Sequence, residues 1–277
     1  MVQNKGLIFK KVPEGWPVEG EDLVIEDRPF DLGTDAPEDG LIVKNYYVSF
    51  DPYQRGRMRR PEIKSYVPAF DLGKAITNSA VAKVLKSSNS KFKAGDIVTG
   101  MLPTEEYSLV EASVANNQLH VLSNPYDLDP KLFVGALGMP GLTAYASFYD
   151  IGQPKKGETI FISSASGAVG QIVGQLAKHE GLKTIGSVGS DDKLEFIKKE
   201  LDYDEGFNYK KESPAQALKR LAPEGIDIYF DNVAGETLDA ALVAMNNFGR
   251  ISTFRWTNSM HVLVSNIDSQ LWSYKCI

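Results

Sequence analysis

The chain has 277 residues, 43% of them apolar, with a formal charge of −6 and a pI near 5.2. That length buries roughly three-quarters of the unfolded surface and asks for about two domains, while the acidic balance and the scattered Lys and Arg exclude a nucleic-acid partner. No apolar run approaches the roughly 18 residues that cross a bilayer, and Met1-Val2-Gln3-Asn4-Lys5 lacks the apolar stretch of a secretory signal, so no membrane partner and a cytoplasmic location are expected.

Residues 1–122 alternate short β-rich runs with turn clusters, and strands are expected at 6–9, 23–26, 41–50, 80–85, 96–99 and 107–110. Pro, Gly, Asn and Asp punctuate these runs and helical periodicity is scarce, which describes an irregular β domain. From residue 123 to 277 the texture changes to strands alternating with helices, the pattern of βαβ units on a parallel sheet. Strands are expected at 159–163, 183–187, 205–208, 226–231 and 248–252, with helices at 169–179, 192–200, 214–221 and 236–245. Ser213 before Pro214 makes an N-cap and first-turn pair.

Within this second half, the apolar run Thr159-Ile160-Phe161-Ile162 leads into the turn Ser163-Ser164-Ala165-Ser166-Gly167-Ala168-Val169-Gly170 and then into a helix. Against the pattern G-x-G-x-x-G, Ala165 takes the first position and Gly167 and Gly170 the others. Exposed N–H groups at a helix start, flanked by small side chains, bind a dinucleotide pyrophosphate without a metal. A tight Gly/Ser turn in some other α/β protein is the alternative.

The second strand should end at Ser187-Val188-Gly189-Ser190, where no carboxylate is available for a ribose 2′-hydroxyl. Lys193 follows and can meet a 2′-phosphate as a point charge, so NADP(H) is favoured over NAD. Asp191 and Asp192 are expected to cap the next helix.

The one cysteine, Cys276, forms no internal disulfide, and His120, His179 and His261 have no ligand spacing. Zinc catalysis needs a Cys/His/Glu set that this sequence does not supply, and no metal is expected.

Several stretches are similar to the zinc-independent medium-chain dehydrogenase/reductase superfamily, in particular its alkenal double-bond reductases and prostaglandin (leukotriene B4 12-hydroxydehydrogenase-type) reductases. They are Asp51-Pro52-Tyr53-Gln54-Arg55-Gly56-Arg57-Met58, Ser65-Tyr66-Val67-Pro68, Ala82-Lys83-Val84-Leu85-Lys86-Ser87, Gly138-Met139-Pro140-Gly141-Leu142-Thr143-Ala144-Tyr145, the turn at 165–170, and Phe230-Asp231-Asn232-Val233.

The resemblance implies a GroES-like β domain joined to a Rossmann domain, with the nicotinamide in the cleft between them. It implies that Gly167, Ala168, Val169 and Gly170 contact the pyrophosphate beside Ala165. Gly189, Lys193 and Tyr209 would then serve the 2′-phosphate end and Asn232 the nicotinamide side. Pro52, Thr143 and Met139 line the cleft, Pro52 and Thr143 as cofactor contacts, and Tyr53 is the catalytic candidate. The implied reaction is reduction of the carbon–carbon double bond of an enal or enone by NADPH. Without the resemblance, Tyr53 is a turn aromatic, Asn232 a turn former and Tyr209 half-buried surface.

The similarity stops near Ser252. Residues 253–277 contain no Gly, Pro, Ala or Glu, yet hold two of the three tryptophans and the only cysteine. A C-terminal part of the Rossmann domain is therefore expected to be missing or replaced, along with the loop that reaches the nicotinamide and the edge that makes the family's homodimer. The fifth strand is then expected to be an unpaired edge, with poor solubility. Three readings follow: an alkenal/one reductase, a quinone reductase built on the same cofactor half, and a non-catalytic NADP-binding remnant.

Overall fold

The computed structural model describes residues 1–253 and the backbone of 273–276. It forms two compact units, Met1–Gly138 and Met139–Ile277.

In the first unit, β1 (Lys5–Phe9) and β2 (Leu23–Asp27) make an antiparallel ribbon. A larger antiparallel sheet uses β3 (Leu41–Val48), β4 (Thr77–Ser87), β5 (Ile97–Pro103), β6 (Tyr107–Val110) and β7 (Leu119–Val121), in the order β6-β3-β4-β5-β7. Leu41 and Val43 of β3, Ala80, Ala82 and Val84 of β4, and Val98 and Leu102 of β5 are fully buried together. In β4 the members of this cluster, Ala80, Ala82 and Val84, are two apart, the period that places alternate side chains on one face. The helix α1 (Tyr53–Arg57) follows β3, and α2 (Ala112–Gln118) joins β6 to β7. Residues 123–138, read above with the second half, group with the first, because the 3-10 turn Pro130–Val134 packs on β3 and β4.

The second unit opens with α3 (Met139–Ala146), continued by one π turn at Ser147–Gly152. The order is then β8 (Thr159–Ile162), α4 (Ala168–His179), β9 (Lys183–Val188), α5 (Asp191–Lys199), β10 (Glu205–Asn208), α6 (Pro214–Leu221), β11 (Ile226–Asp231), α7 (Glu236–Ala244), β12 (Met245–Thr253) and β13 (Ser273–Cys276). All pairings are parallel, in the order β10-β9-β8-β11-β12-β13, the doubly wound arrangement in which the first strand stands at the topological switch point. The expectation that the fifth strand is an unpaired edge is overturned, since β12 pairs with β13 through Arg250↔Ser273 to Thr253↔Cys276. The remainder of the atypical tail lies outside the described residues.

The sheet separates two apolar layers, and β8 shows how. Ile160 and Ile162 join Phe148, Val173 and Ala177 on one face, while Phe161 joins Phe207, Leu218, Tyr229 and Ile251 on the other. Phe161 stacks on Tyr229 at 5.0 Å between ring centroids and on Phe207 at 5.9 Å, offset arrangements that add to simple burial. Beyond β11, Arg250 of β12 is paired with Glu158 at 2.6 Å and donates to the carbonyls of Gly152 and Gln153.

Helix α4 approaches the sheet more closely than any larger residue permits. A Cβ at Gly170 would lie 2.5 Å from the Ser164 carbonyl oxygen, and one at Gly174 would lie 2.1 Å from the Tyr203 ring. Tyr203 is buried against this helix, and its hydroxyl donates to the Gly170 carbonyl at 2.8 Å. Gly174→Ala is expected to lower stability, because overpacking costs about 1–3 kcal/mol while the helix propensity gained from Ala is at most about 1 kcal/mol. Thermal unfolding of the variant should show a reduced Tm; an unchanged or higher Tm contradicts the packing described.

Candidate functional site

Three strand ends of the second unit create the site. The β8 end runs through Ser163, fully buried, into Ser164, whose φ of +51 turns the backbone back on itself. Ala165 follows, also fully buried, with its N–H donating to the Ser187 carbonyl of β9 at 3.0 Å. Gly167 is then the N-cap of α4 and no side chain caps the helix. Elsewhere Ser190 caps α5 and Ser213 caps α6 through their hydroxyls. The first N–H groups of a helix have no partner within it, so α4 presents uncovered donors, from Ala168 and Val169 onward, at the positive end of its dipole. Small side chains surround that end. The arrangement fits a phosphate or diphosphate.

One strand away, the ends of β9 and β10 carry Gly189, Lys193 and Tyr209. Tyr209 is half exposed, and a Cβ on Gly189 would lie 2.8 Å from its hydroxyl oxygen, so the phenol rests over the strand end because position 189 has no side chain. Lys193 stands exposed in the first turn of α5. The capping role expected of Asp191 and Asp192 is corrected. Ser190 is the cap, accepting from the Lys193 N–H, while Asp191 accepts from the Asn208 side chain at 2.9 Å and is ion-paired with Lys211. Those two partners, Asn208 first, hold the Asp191 carboxyl below its usual range. Its charge is thus paired locally, while Asp192 stays exposed beside Lys193 in the same turn.

On the other side of β8, Asn232 follows β11. Its N–H donates to the Ser163 hydroxyl and its carboxamide NH2 to the Ser163 carbonyl, both at 2.8 Å, which fixes it beside the α4 turn. What orders this turn is Asp231, which sequence reasoning passed over. Asp231 is buried, and its Oδ1 accepts from the Tyr229 hydroxyl at 2.8 Å, the Val233 N–H at 3.0 Å and the Ala234 N–H at 2.7 Å. Its Oδ2 accepts from the Thr253 hydroxyl at 3.3 Å. Burial, then the nearby Asp231 charge, raise the Tyr229 phenol well above its ordinary range, so it remains a donor. The available signal was an acidic residue at a strand end directly before an assigned asparagine.

Thr143 is half-buried on α3, which packs on α4, and Met139 begins the same helix, partly exposed. Pro52 and Tyr53 belong to the first unit, Pro52 as the exposed N-cap of α1 and Tyr53 as its half-buried first residue. Burial raises the Tyr53 phenol above its ordinary range and Arg57 partly opposes this. The phenol therefore keeps its proton across neutral pH. Asp51, two residues earlier, has a buried Oδ2 with no hydrogen-bond partner, and burial raises its carboxyl above the usual range.

Two family models match the chain, one described as the N-terminal domain of oxidoreductase over residues 5–117, the other as zinc-binding dehydrogenase over residues 168–265. The second match runs beyond Ser252, where the resemblance was read as ending. An NADP-dependent oxidoreductase of Cochliobolus heterostrophus is 57% identical over 91% of this chain and 71% of its own length. The chain belongs to the zinc-independent medium-chain dehydrogenase/reductase family. Another member, the 2-alkenal reductase (NADP(+)-dependent) of Nicotiana tabacum, is 47% identical over 91% of this chain and 72% of its own. The crystal structure of CurA from Vibrio vulnificus in complex with NADPH superposes with a TM-score of 0.79 and 31% identity, covering 89% of this chain and 70% of that one. The zinc in the second model's description has no donor set here: among the described residues no three His, Cys, Asp or Glu side chains gather to hold a metal. No helix of the described residues is long and apolar enough to cross a membrane.

Removing the Asp231 carboxylate leaves two backbone N–H groups and a buried hydroxyl unsatisfied. Asp231→Ala is therefore expected to cost about 2–4 kcal/mol of folding stability, against less than about 1 kcal/mol for Thr253→Val, which loses one long hydrogen bond. Urea denaturation of the two variants checks this, and equal losses contradict the account.

Proposed function

We propose that the chain is an NADPH-dependent reductase of the carbon–carbon double bond in small α,β-unsaturated aldehydes and ketones. The observation that carries the cofactor half of this reading is the pairing of an uncapped α4 start with neighbouring strand ends that bring Gly189, Lys193 and Tyr209 together, with no carboxylate on the β9 end itself. The substrate half is supported by the 47% identity with a 2-alkenal reductase and by a protonated, half-buried phenol at Tyr53.

In this reading the N–H groups of Ala168, Val169 and Gly170 receive the pyrophosphate; Gly167, whose own N–H donates to the Ser164 carbonyl at 2.8 Å, lets it approach by lacking a side chain, and Ala165 leaves room beneath it. Lys193 and Tyr209 take the 2′-phosphate. Asn232, held by Ser163, borders the nicotinamide side, and Pro52 and Thr143 add cofactor contacts. The bound NADPH supplies hydride to the β-carbon of the acceptor. Negative charge then gathers on the acceptor's carbonyl oxygen, and Tyr53 stabilises it by donating its O–H, after which the α-carbon takes a proton from solvent. Catalysis of this kind rests on holding the partners together and on a donor already aimed at the developing charge.

The test is NADPH consumption by the purified chain with a small enal, beside a quinone control. Turnover with the enal is expected; turnover with quinone alone overturns the reading, as does NADPH binding without any turnover. Lys193→Ala should raise the KM for NADPH about tenfold, the loss of roughly 1.4 kcal/mol of phosphate attraction, with kcat little changed and the preference over NADH narrowed. Tyr53→Phe should lower kcat by about 10²-fold, the usual scale for one lost donor at a developing oxyanion.

A further inference from the structure

The sequence Arg55-Gly56-Arg57-Met58-Arg59 places three guanidinium groups along and just after α1, and the structure separates their roles. Arg55 donates to the Gly15 carbonyl, and Arg59 donates to the carbonyls of Gly56, Ile63 and Val67. These two hold neighbouring loops to the helix. Arg57 is different, because it stands one turn after Tyr53 on the same helix face, and its guanidinium acts on the phenol, favouring the charged form.

The rest of the Arg57 head is already fixed. Its Nε donates to the Pro68 carbonyl at 3.1 Å, its Nη1 donates to the Thr77 hydroxyl at 3.0 Å, and its plane lies over the Phe70 ring at 4.1 Å. A guanidinium has no acceptor, so in its contact with Tyr53 the phenol oxygen must accept. The phenol's own proton is then directed elsewhere. In the structure it points to the thioether of Met101 at 3.9 Å, a weak acceptor that a carbonyl oxygen readily displaces.

We infer that Arg57 is a positioning residue that aims the Tyr53 O–H at the substrate's carbonyl oxygen and strengthens that donation as the oxygen gains charge. This rests on the proposed role of Tyr53. A hydroxyl whose oxygen accepts from a cation becomes a better donor, since each hydrogen bond polarises the next. No proton changes owner between Tyr53 and Arg57. The charged and titratable neighbours act in both directions: Arg57 favours the phenolate, Asp51 and Tyr66 oppose it, and Arg59 and Asp71 act on Arg57 itself.

The experiment compares wild type, Tyr53→Phe, Arg57→Met, Arg57→Lys and the Tyr53→Phe/Arg57→Met double variant for kcat and KM with an enal across neutral to alkaline pH. Arg57→Met is expected to lower kcat about tenfold with KM nearly unchanged, and to do so by less than about twofold once Tyr53 is Phe, because its effect passes through the phenol. The alkaline limb of kcat, where Tyr53 loses its proton, should move to higher pH when the cation is gone, and Arg57→Lys should restore part of both effects. Equal losses in the two backgrounds, or an unmoved limb, overturn the inference. Thr77→Val, which removes one anchor of Arg57 without touching Tyr53, separates a purely structural role: it should lower Tm while leaving the limb in place. If Arg57→Met does not fold, Arg57→Lys carries the cycle. Should the wild type be inactive with enals, the substrate reading fails, and the coupling is still read by alkaline absorbance titration of the Tyr53 phenol, wild type minus Tyr53→Phe, with and without Arg57.

Discussion

The close seating of α4 on the β8–β9 edge is the constraint from which the second unit follows. It requires Gly170 and Gly174 where the helix crosses the turn and the Tyr203 ring, and it fixes the helix axis so that its first N–H groups emerge beside the β8 end. Were the helix an ångström further out, those donors would no longer converge on one anion. The same seating brings Ala165 against the Cα of Gly186, where a side chain would also collide. Packing and ligand geometry are therefore a single requirement in this half of the chain.

The neighbouring strand ends show two ways of handling charge near that anion site. On the β9 side, acidity is neutralised where it stands, by Asn208 and Lys211 gripping Asp191. On the β11 side, the Asp231 carboxylate is retained and turned inward, where it organises a tight turn through hydrogen bonds to the backbone and to a phenol. Both carboxylates are thus held by named donors, Asp191 by an amide and a lysine and Asp231 by neutral N–H and O–H groups.

Much of the architecture was legible because the pattern was periodic. The six strands expected of the first half and the five of the second are all present, and the ends of β6, β10, β11 and α6 match the reading to the residue. The helix α3 was not read, because Met139-Pro140-Gly141 at its start carries two residues that ordinarily mark loops, and its small side chains blur the apolar face. The last strand pair was misjudged for another reason: β13 pairs with β12 by backbone hydrogen bonds, and composition is a poor guide to those. In the site, the glycines and Lys193 could be named from spacing, whereas Asp231 and Arg57 act through contacts that exist only after folding.

Arg250 has a bearing on how the chain is built as it is synthesised. It ties β12 to Glu158 and to the Gly152 carbonyl, partners 92 and 98 positions earlier in the sequence. Such long-range closure cannot form until nearly all of the second unit has left the ribosome. On that side of the early strand β8 the sheet is completed only by the late-emerging β11 and β12, so nascent chains of this protein should hold exposed parallel-strand surface longest there.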